Sequence, residues 1–412
     1  MKGQTHMWLL RFLVLASMLS ASGVLAAAPP FEPMPTLDAA ALVPARLIND
    51  AGYTVDPKVP VVGYMGQFIL RAPAGEFAAD GTEMLAIRVA ELAAIAKLAQ
   101  LSQTGVFTDA LAASAKKTGA AIGQAVMNPV ETVSGIPAGV GRFFQSASTK
   151  VARATESGAT SGSDQQAGTT ETAKDLLGLN QAKRQIAKQV GADPYTSNPV
   201  LAKQLDDLGR AAVAGGVSLD VALAVTTAGV ATAISTTATV SNLVWDKSPQ
   251  DVRTLNESKL ASMGVGKDTV HAFVTNRWFT PTLSVPFVDN LAQIHAGKSR
   301  AAVVALASTV ASESEARFML NAVTMARRAS SQDDPVVGID VAGRVLVLRT
   351  RAGHVDVPAP VDYVVWNEAV KTFAERKGLG AKRTILLSGA ASPRAREGLQ
   401  AGGWTIAERS NP

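Results

Sequence analysis

Three short stretches hold the side chains with the most chemical promise. His354-Val355-Asp356 sets an imidazole and a carboxylate two positions apart in a segment that reads as a β-strand. Residues i and i+2 of a strand share a face. The pair can therefore converge on a metal ion, or serve as a base and the group that orients it. No third ligand with supporting spacing stands beside it, although Asp362 is close in the chain. The competing reading is a solvated strand face, where alternation places polar residues anyway.

The second stretch, Ser388-Gly389-Ala390-Ala391-Ser392-Pro393-Arg394, joins a strand to the start of a helix. Ser392 as cap, the amides that follow Pro393, and the side chains of Arg394 and Arg396 are the makings of an anion site. A helix start carries about half a positive charge, so each exposed arginine in the first turn costs roughly 0.3–1 kcal/mol. A bound anion or an acidic partner surface offsets that cost. Solvent and the nearby Glu397 and Glu408 offset it too. The third stretch places Arg277, Trp278 and Phe279 together at a helix end. In a chain with only 5% aromatic residues, this reads as a partner surface or as a plug that seals a helix junction.

Other motif matches fail on geometry. Ser114-Ala115-Lys116-Lys117 fits Ser-x-x-Lys, and Lys117-Thr118-Gly119 fits Lys-Thr-Gly. In penicillin-binding enzymes those two elements face each other from distant parts of the chain, whereas here they overlap. Gly264-Val265-Gly266-Lys267 is half a phosphate loop, but it follows a helical segment and has no Ser or Thr at the required place directly after the lysine. No motif implies a cofactor.

Composition narrows the chemistry further. Cysteine is absent, which removes disulfides, thiol nucleophiles and thiolate metal sites. The formal charge is +5, and Lys2 and Arg11 lie in a segment expected to be removed, which leaves +3. So small an excess, without a basic cluster, argues against nucleic acid as a partner. At 47% hydrophobic and 18% charged, the chain has the material for real cores. Its apolar residues are mostly small, and such cores need close backbone approach.

The first residues read as a secretory signal. Lys2, His6 and Arg11 precede an apolar run from Phe12, and Val24-Leu25-Ala26 offers small or short residues before Ala27. Cleavage after Ala26 would deliver the chain to the periplasm or the exterior. A run of 25 uncharged residues, Val221 to Trp245, is long enough to span a bilayer but is rich in Thr and Ser. Membrane contact by 211–245 is therefore possible but not favoured, and a buried helix pair is the better reading.

These segments must be positioned by elements of several kinds. The fold class expected is α+β and mostly helical. The expected division is a signal at 1–26, an extended lead-in with a small antiparallel meander at 27–80, and an Ala-rich helical segment at 81–150. A Ser/Gly/Thr-rich linker at 151–172, a helical domain at 173–331 and a small α/β domain at 332–412 follow. Within this, Tyr53–Val55, Tyr64–Arg71 and Glu76–Ala79 read as strands, with a loop at 72–75. Asp80 and Glu83 have the spacing of a capping box, and Leu85, Val89, Leu92, Ala96 and Ala99 line one helical face. Asn198-Pro199 opens another helix. Near the end, Tyr363, Trp366, Val370 and Phe373 read as one helical face, and a strand–helix–strand unit closes the chain. The expected function is a non-catalytic envelope module that binds or scaffolds an unknown envelope protein. The alternatives are an enzyme or small-anion binder built on the C-terminal unit, and a membrane-active protein using 211–245.

Overall fold

The computed structural model describes residues 31–102, 169–215 and 238–410. The signal, the Ala-rich segment beyond residue 102, the Ser114–Lys117 motif, the linker up to 168 and residues 216–237 lie outside the described residues. The architecture is α+β, with an N-terminal antiparallel sheet, a helix-rich middle and a C-terminal mixed sheet with helices.

The lead-in, expected only to be extended, supplies strands of its own. β1 (Thr36–Asp38), a short α1 (Ala39–Leu42) and β2 (Asn49–Asp50) precede β3 (Tyr53–Val55), β4 (Lys58–Val62), β5 (Met65–Ala72) and β6 (Gly75–Asp80). β5 organises the sheet: it pairs with β6 along its length, with β4 at its start and with β3 near its end. Ala72 pairs with Gly75, so the β5–β6 connection is a two-residue turn. β4 escaped the sequence pattern because Pro60 interrupts its donors.

Helix α2 (Thr82–Ser102) follows directly. Its buried face runs through Leu85, Arg88, Glu91, Ile95 and Leu98, whereas Ala96, assigned to the apolar stripe, is exposed. Two ions inside the buried face rotated the expected stripe. α3 (Thr169–Val190) and α4 (Pro199–Gly215) pack against α2, and Asn198 caps α4 through the amides of Val200 and Leu201. α5 (Ala238–Asp246), α6 (Pro249–Ser262), α7 (Lys267–Val274), α8 (Pro281–Gln293), α9 (Arg300–Ala307) and α10 (Glu313–Ala329) complete the middle. Pro286 sits inside α8. Among the described residues no helix is long and apolar enough to cross a membrane.

The C-terminal sheet runs in the order β13–β11–β9–β8–β7. β7 (Val336–Ala342), β8 (Val345–Thr350) and β9 (Val355–Ala359) are antiparallel neighbours. The short β10 (Tyr363–Val364) and α11 (Glu368–Ala374) then lead to β11 (Arg383–Leu387), which is parallel to β9. β12 (Ala390–Ala391), α12 (Pro393–Ala401) and β13 (Thr405–Ala407) finish the unit, with β13 parallel to β11 as the strand–helix–strand pattern implied. Tyr363 is not helical: Tyr363–Val364 pairs with Ala390–Ala391, and Asn367 caps α11 only after that bridge. β8 is buried from Val345 to Leu348, as a strand between two helical layers must be.

Among the described residues, the two larger of three cores cut the middle of the chain in two. One joins the N-terminal sheet to α2, α3 and α4. The other is continuous from α6 through α10 into the C-terminal sheet, and Tyr64 enters it from the N-terminal sheet. Backbones meet closely at this junction. A Cβ added at Gly389 would stand 1.9 Å from the carbonyl oxygen of Asp362. Gly389→Ala should therefore cost at least the 1–3 kcal/mol, roughly, of ordinary overpacking, because the obstruction is backbone. Gly52→Ala, with nothing within 4 Å of the added carbon, is the control and should be nearly neutral. Chemical denaturation of both variants checks this, and equal midpoints would refute the close approach.

Candidate functional site

The residues singled out by type turn inward. Ser392 caps α12, its Oγ accepting from the Ala395 amide, and its hydroxyl donates to the Glu32 carboxylate. Glu32 also accepts from the Trp366 amide at 2.6 Å, while its own amide donates to the Trp366 carbonyl at 2.8 Å. Arg396 forms two bonds to Glu408, from Nε at 2.8 Å and Nη2 at 3.1 Å. Burial pushes the Glu408 pKa up, but Arg396 and the Ala391 amide outweigh it and hold the group low. The carboxylates that face Ser392 and Arg396 thus belong to this chain. Arg394 makes contacts of its own and is not a free cation.

His354 takes Asp334 as its close partner, while Asp356 stays near enough to feel its charge. His354 Nδ1 lies 2.9 Å from Asp334 Oδ2. Asp356 is held up in pKa by burial, against the pull of His354 and the Thr384 hydroxyl. Among the described residues no group of three or more His, Asp or Glu side chains is placed to hold a metal ion. Of the third stretch, only Arg277 is well exposed, and it lies over the Trp278 ring at 4.6 Å. Phe279 is a correction: it is 7% exposed and packs with Phe273 and Phe287 at ring distances of 4.6 and 5.1 Å. Asn276 ties this turn down through the carbonyls of Ser308 and Val310.

Two constellations were not visible in the sequence. The first is the junction at Tyr64. Val62 pairs with Met65, so Gly63 and Tyr64 form a two-residue hairpin turn with φ of 57° and 70°. Glycine takes this backbone freely, whereas a tyrosine there costs on the order of 1 kcal/mol. The Tyr64 carbonyl accepts from the amides of Asp362 and Tyr363 at 3.0 and 3.1 Å. Its hydroxyl meets Asn367 at 2.7–3.0 Å, and its ring is 3% exposed. Beside the ring lies a cavity of about 40 Å³ with apolar walls.

Asp362 completes the junction. Its carboxylate accepts from the Gly66 amide at 2.8 Å, the Thr82 amide at 3.1 Å and the Thr82 hydroxyl at 2.8 Å. The start of α2 is therefore served by a residue from the other end of the chain. Asp80, which had the spacing for that role, takes Gln67 instead. Burial pushes the Asp362 pKa up to about 6, against the pull of Gly66 and Thr82.

The second constellation is a buried ionic network. Glu91, 1% exposed, accepts from Arg88 at 2.8 Å, from Asn198 at 2.9 Å and from Thr196. Arg88 also reaches Ser197 at 2.6 Å. Asp193 accepts from the Tyr195 amide at 2.8 Å and the Thr282 hydroxyl at 2.7 Å, which links this loop to α8. Arg317 on α10 holds Glu313 at 2.8 Å and reaches Glu83 on α2 at 3.4 Å. These groups satisfy one another and fix the packing of α2, α8 and α10. The signal that could have found it is Arg88 and Glu91 at the spacing of a buried helical face.

No family model, curated protein or solved structure matches the chain.

Glu91→Ala strands a buried guanidinium and should cost roughly 3–5 kcal/mol. Asp38→Ala breaks an exposed pair with Lys58 and should cost under about 1 kcal/mol. Urea midpoints distinguish the two, and comparable losses would show the network to be idle. Asp193 gives a pH signature. Burial raises its pKa to about 6 from 3.8, so the native chain keeps a proton that the unfolded chain releases. The stability this confers is complete below the unfolded value and is lost as pH rises through about 6. Asp193→Asn keeps an acceptor but cannot ionise. Its stability relative to wild type should rise between pH 4 and 7.5 by on the order of 2 kcal/mol. A flat difference across that window overturns the assignment.

Proposed function

We propose that this chain is an exported envelope protein, periplasmic or secreted, that acts as a non-catalytic binding or scaffolding module for another envelope protein. The observation that carries the reading is the inward use of its polar groups. Ser392, Arg396 and His354 each answer a carboxylate of the same chain. The cavity beside Tyr64 has apolar walls. A catalytic centre instead needs polar groups converging on a space that a reacting atom can enter.

Export is supported by the basic start, the apolar run and the cleavage-like Val24-Leu25-Ala26. The docked segment begins just beyond, at Glu32, so cleavage after Ala26 leaves its contacts whole. Nucleic acid is disfavoured as a partner by the small and unclustered charge excess.

Intact-mass measurement on the chain from an envelope fraction tests the first half of the reading, and a mature form that starts at Ala27 is expected. Retention of Met1 would mean an uncleaved anchor. Native electrophoresis of a mild envelope extract tests the second half. The chain should migrate in a complex well above 42.7 kDa, the mass of all 412 residues before cleavage. Migration as a free monomer would end the scaffolding reading.

A further inference from the structure

The C-terminal unit contains a pocket whose occupant comes from elsewhere in the chain. Val357, Ile385 and Leu387 form its floor on the sheet, and Val370, Phe373 and Leu399 close it from α11 and α12. Asn367, the cap of α11, does not line the cavity but bonds the hydroxyl of Tyr64, whose ring does. The N-terminal sheet supplies to this space one ring, that of Tyr64, held on a turn with left-handed backbone. The ring does not fill the space, since a cavity of about 40 Å³ remains beside it. Apolar walls, one hydroxyl partner and an occupant from a separate unit are the parts of a small-molecule site.

We infer that the C-terminal unit carries a binding pocket for a small aromatic alcohol, a phenol ring with a single hydroxyl, which the chain fills in cis with Tyr64. The walls and the hydroxyl partner are provided between residues 345 and 399, and the hairpin contributes the ligand. The phenol of Tyr64 stays neutral, because burial raises its pKa against the pull of Asn367. A neutral hydroxyl that donates to and accepts from one amide is what Asn367 is equipped to read. A free phenol brings the same groups without the left-handed tyrosine. The inference goes beyond the binding reading above and does not depend on export.

The test uses the full-length chain with Tyr64→Gly, which removes the ring and suits the backbone at φ 70°. Apolar cavities of about 150 Å³ stay dry and take up benzene, so an emptied ring site is a credible receptor. Phenol should raise the Tm of Tyr64→Gly in a saturable way, by a few degrees, and leave wild type unmoved. Benzene, without the hydroxyl, should bind about tenfold more weakly. A folded Tyr64→Gly that ignores phenol overturns the inference, and so does equal affinity for phenol and benzene or an equal response in wild type. If the variant does not fold alone, phenol added at refolding should restore the native near-UV spectrum and benzene should not. Failure of that rescue overturns the inference as well.

Discussion

The docking of the Tyr64 turn against Asp362 is the contact on which the remaining arrangement depends. A carboxylate that is 4% exposed can be tolerated only if donors replace its water. Gly66 and Thr82 supply them, and both come from the N-terminal sheet and the start of α2. The dependence is mutual, because the first amides of α2 need an acceptor and Gly81 has no side chain to offer one. Separating the two ends of the chain would strand a charge on one side and a helix start on the other. Gly389 permits the contact by letting the backbone of the C-terminal unit close on Asp362.

From α2 the constraint passes inward through polar contacts. Arg88 and Glu91 hold the segment at 196–198, whose Asn198 caps α4. Asp193 in the same loop holds Thr282 of α8, and Arg317 of α10 returns to Glu83 of α2. Apolar burial supplies the driving force, yet small Ala and Val side chains slide easily past one another. A buried ion has far fewer acceptable positions than a methyl group, because each misplacement leaves it unpaired. In a core short of large aromatics, the ionic network defines how the helices register, while the Phe273, Phe279 and Phe287 cluster locally anchors α7 and α8.

What the sequence made legible was local. Ser392-Pro393 and Asn198-Pro199 announced their helices because cap and proline act within one turn. The parallel β11–α12–β13 unit followed from strand and helix lengths alone. What it hid was long-range. Asp80 had the spacing of a cap for α2, but Asp362 arrives from far along the chain and takes that place. Arg88 and Glu91 masked the true buried face of α2, since periodicity counts apolar residues and a paired ion buries just as deeply. Tyr64 read as the first residue of a strand, because nothing in a single sequence marks a tyrosine held at positive φ. Phe279 could not be told apart as surface or plug because its aromatic neighbours come from separate helices.

The anion site suggested by residue type and the pocket seen only in the structure share one physical solution. Ser392 and Arg396 at the start of α12 ask for an anion, and the chain answers with Glu32 and Glu408. The apolar space between the C-terminal sheet, α11 and α12 asks for a ring, and the chain answers with Tyr64. Glu408 is local, but Glu32 and Tyr64 come from segments that need not have been there for the local elements to form. Ser392 caps its helix through the Ala395 amide without Glu32, and the walls of the pocket are paired strands and a capped helix without Tyr64. The C-terminal unit is thus formed by local rules and completed by distant ones. Its surface chemistry is legible only once it is known which of its own segments already occupies it.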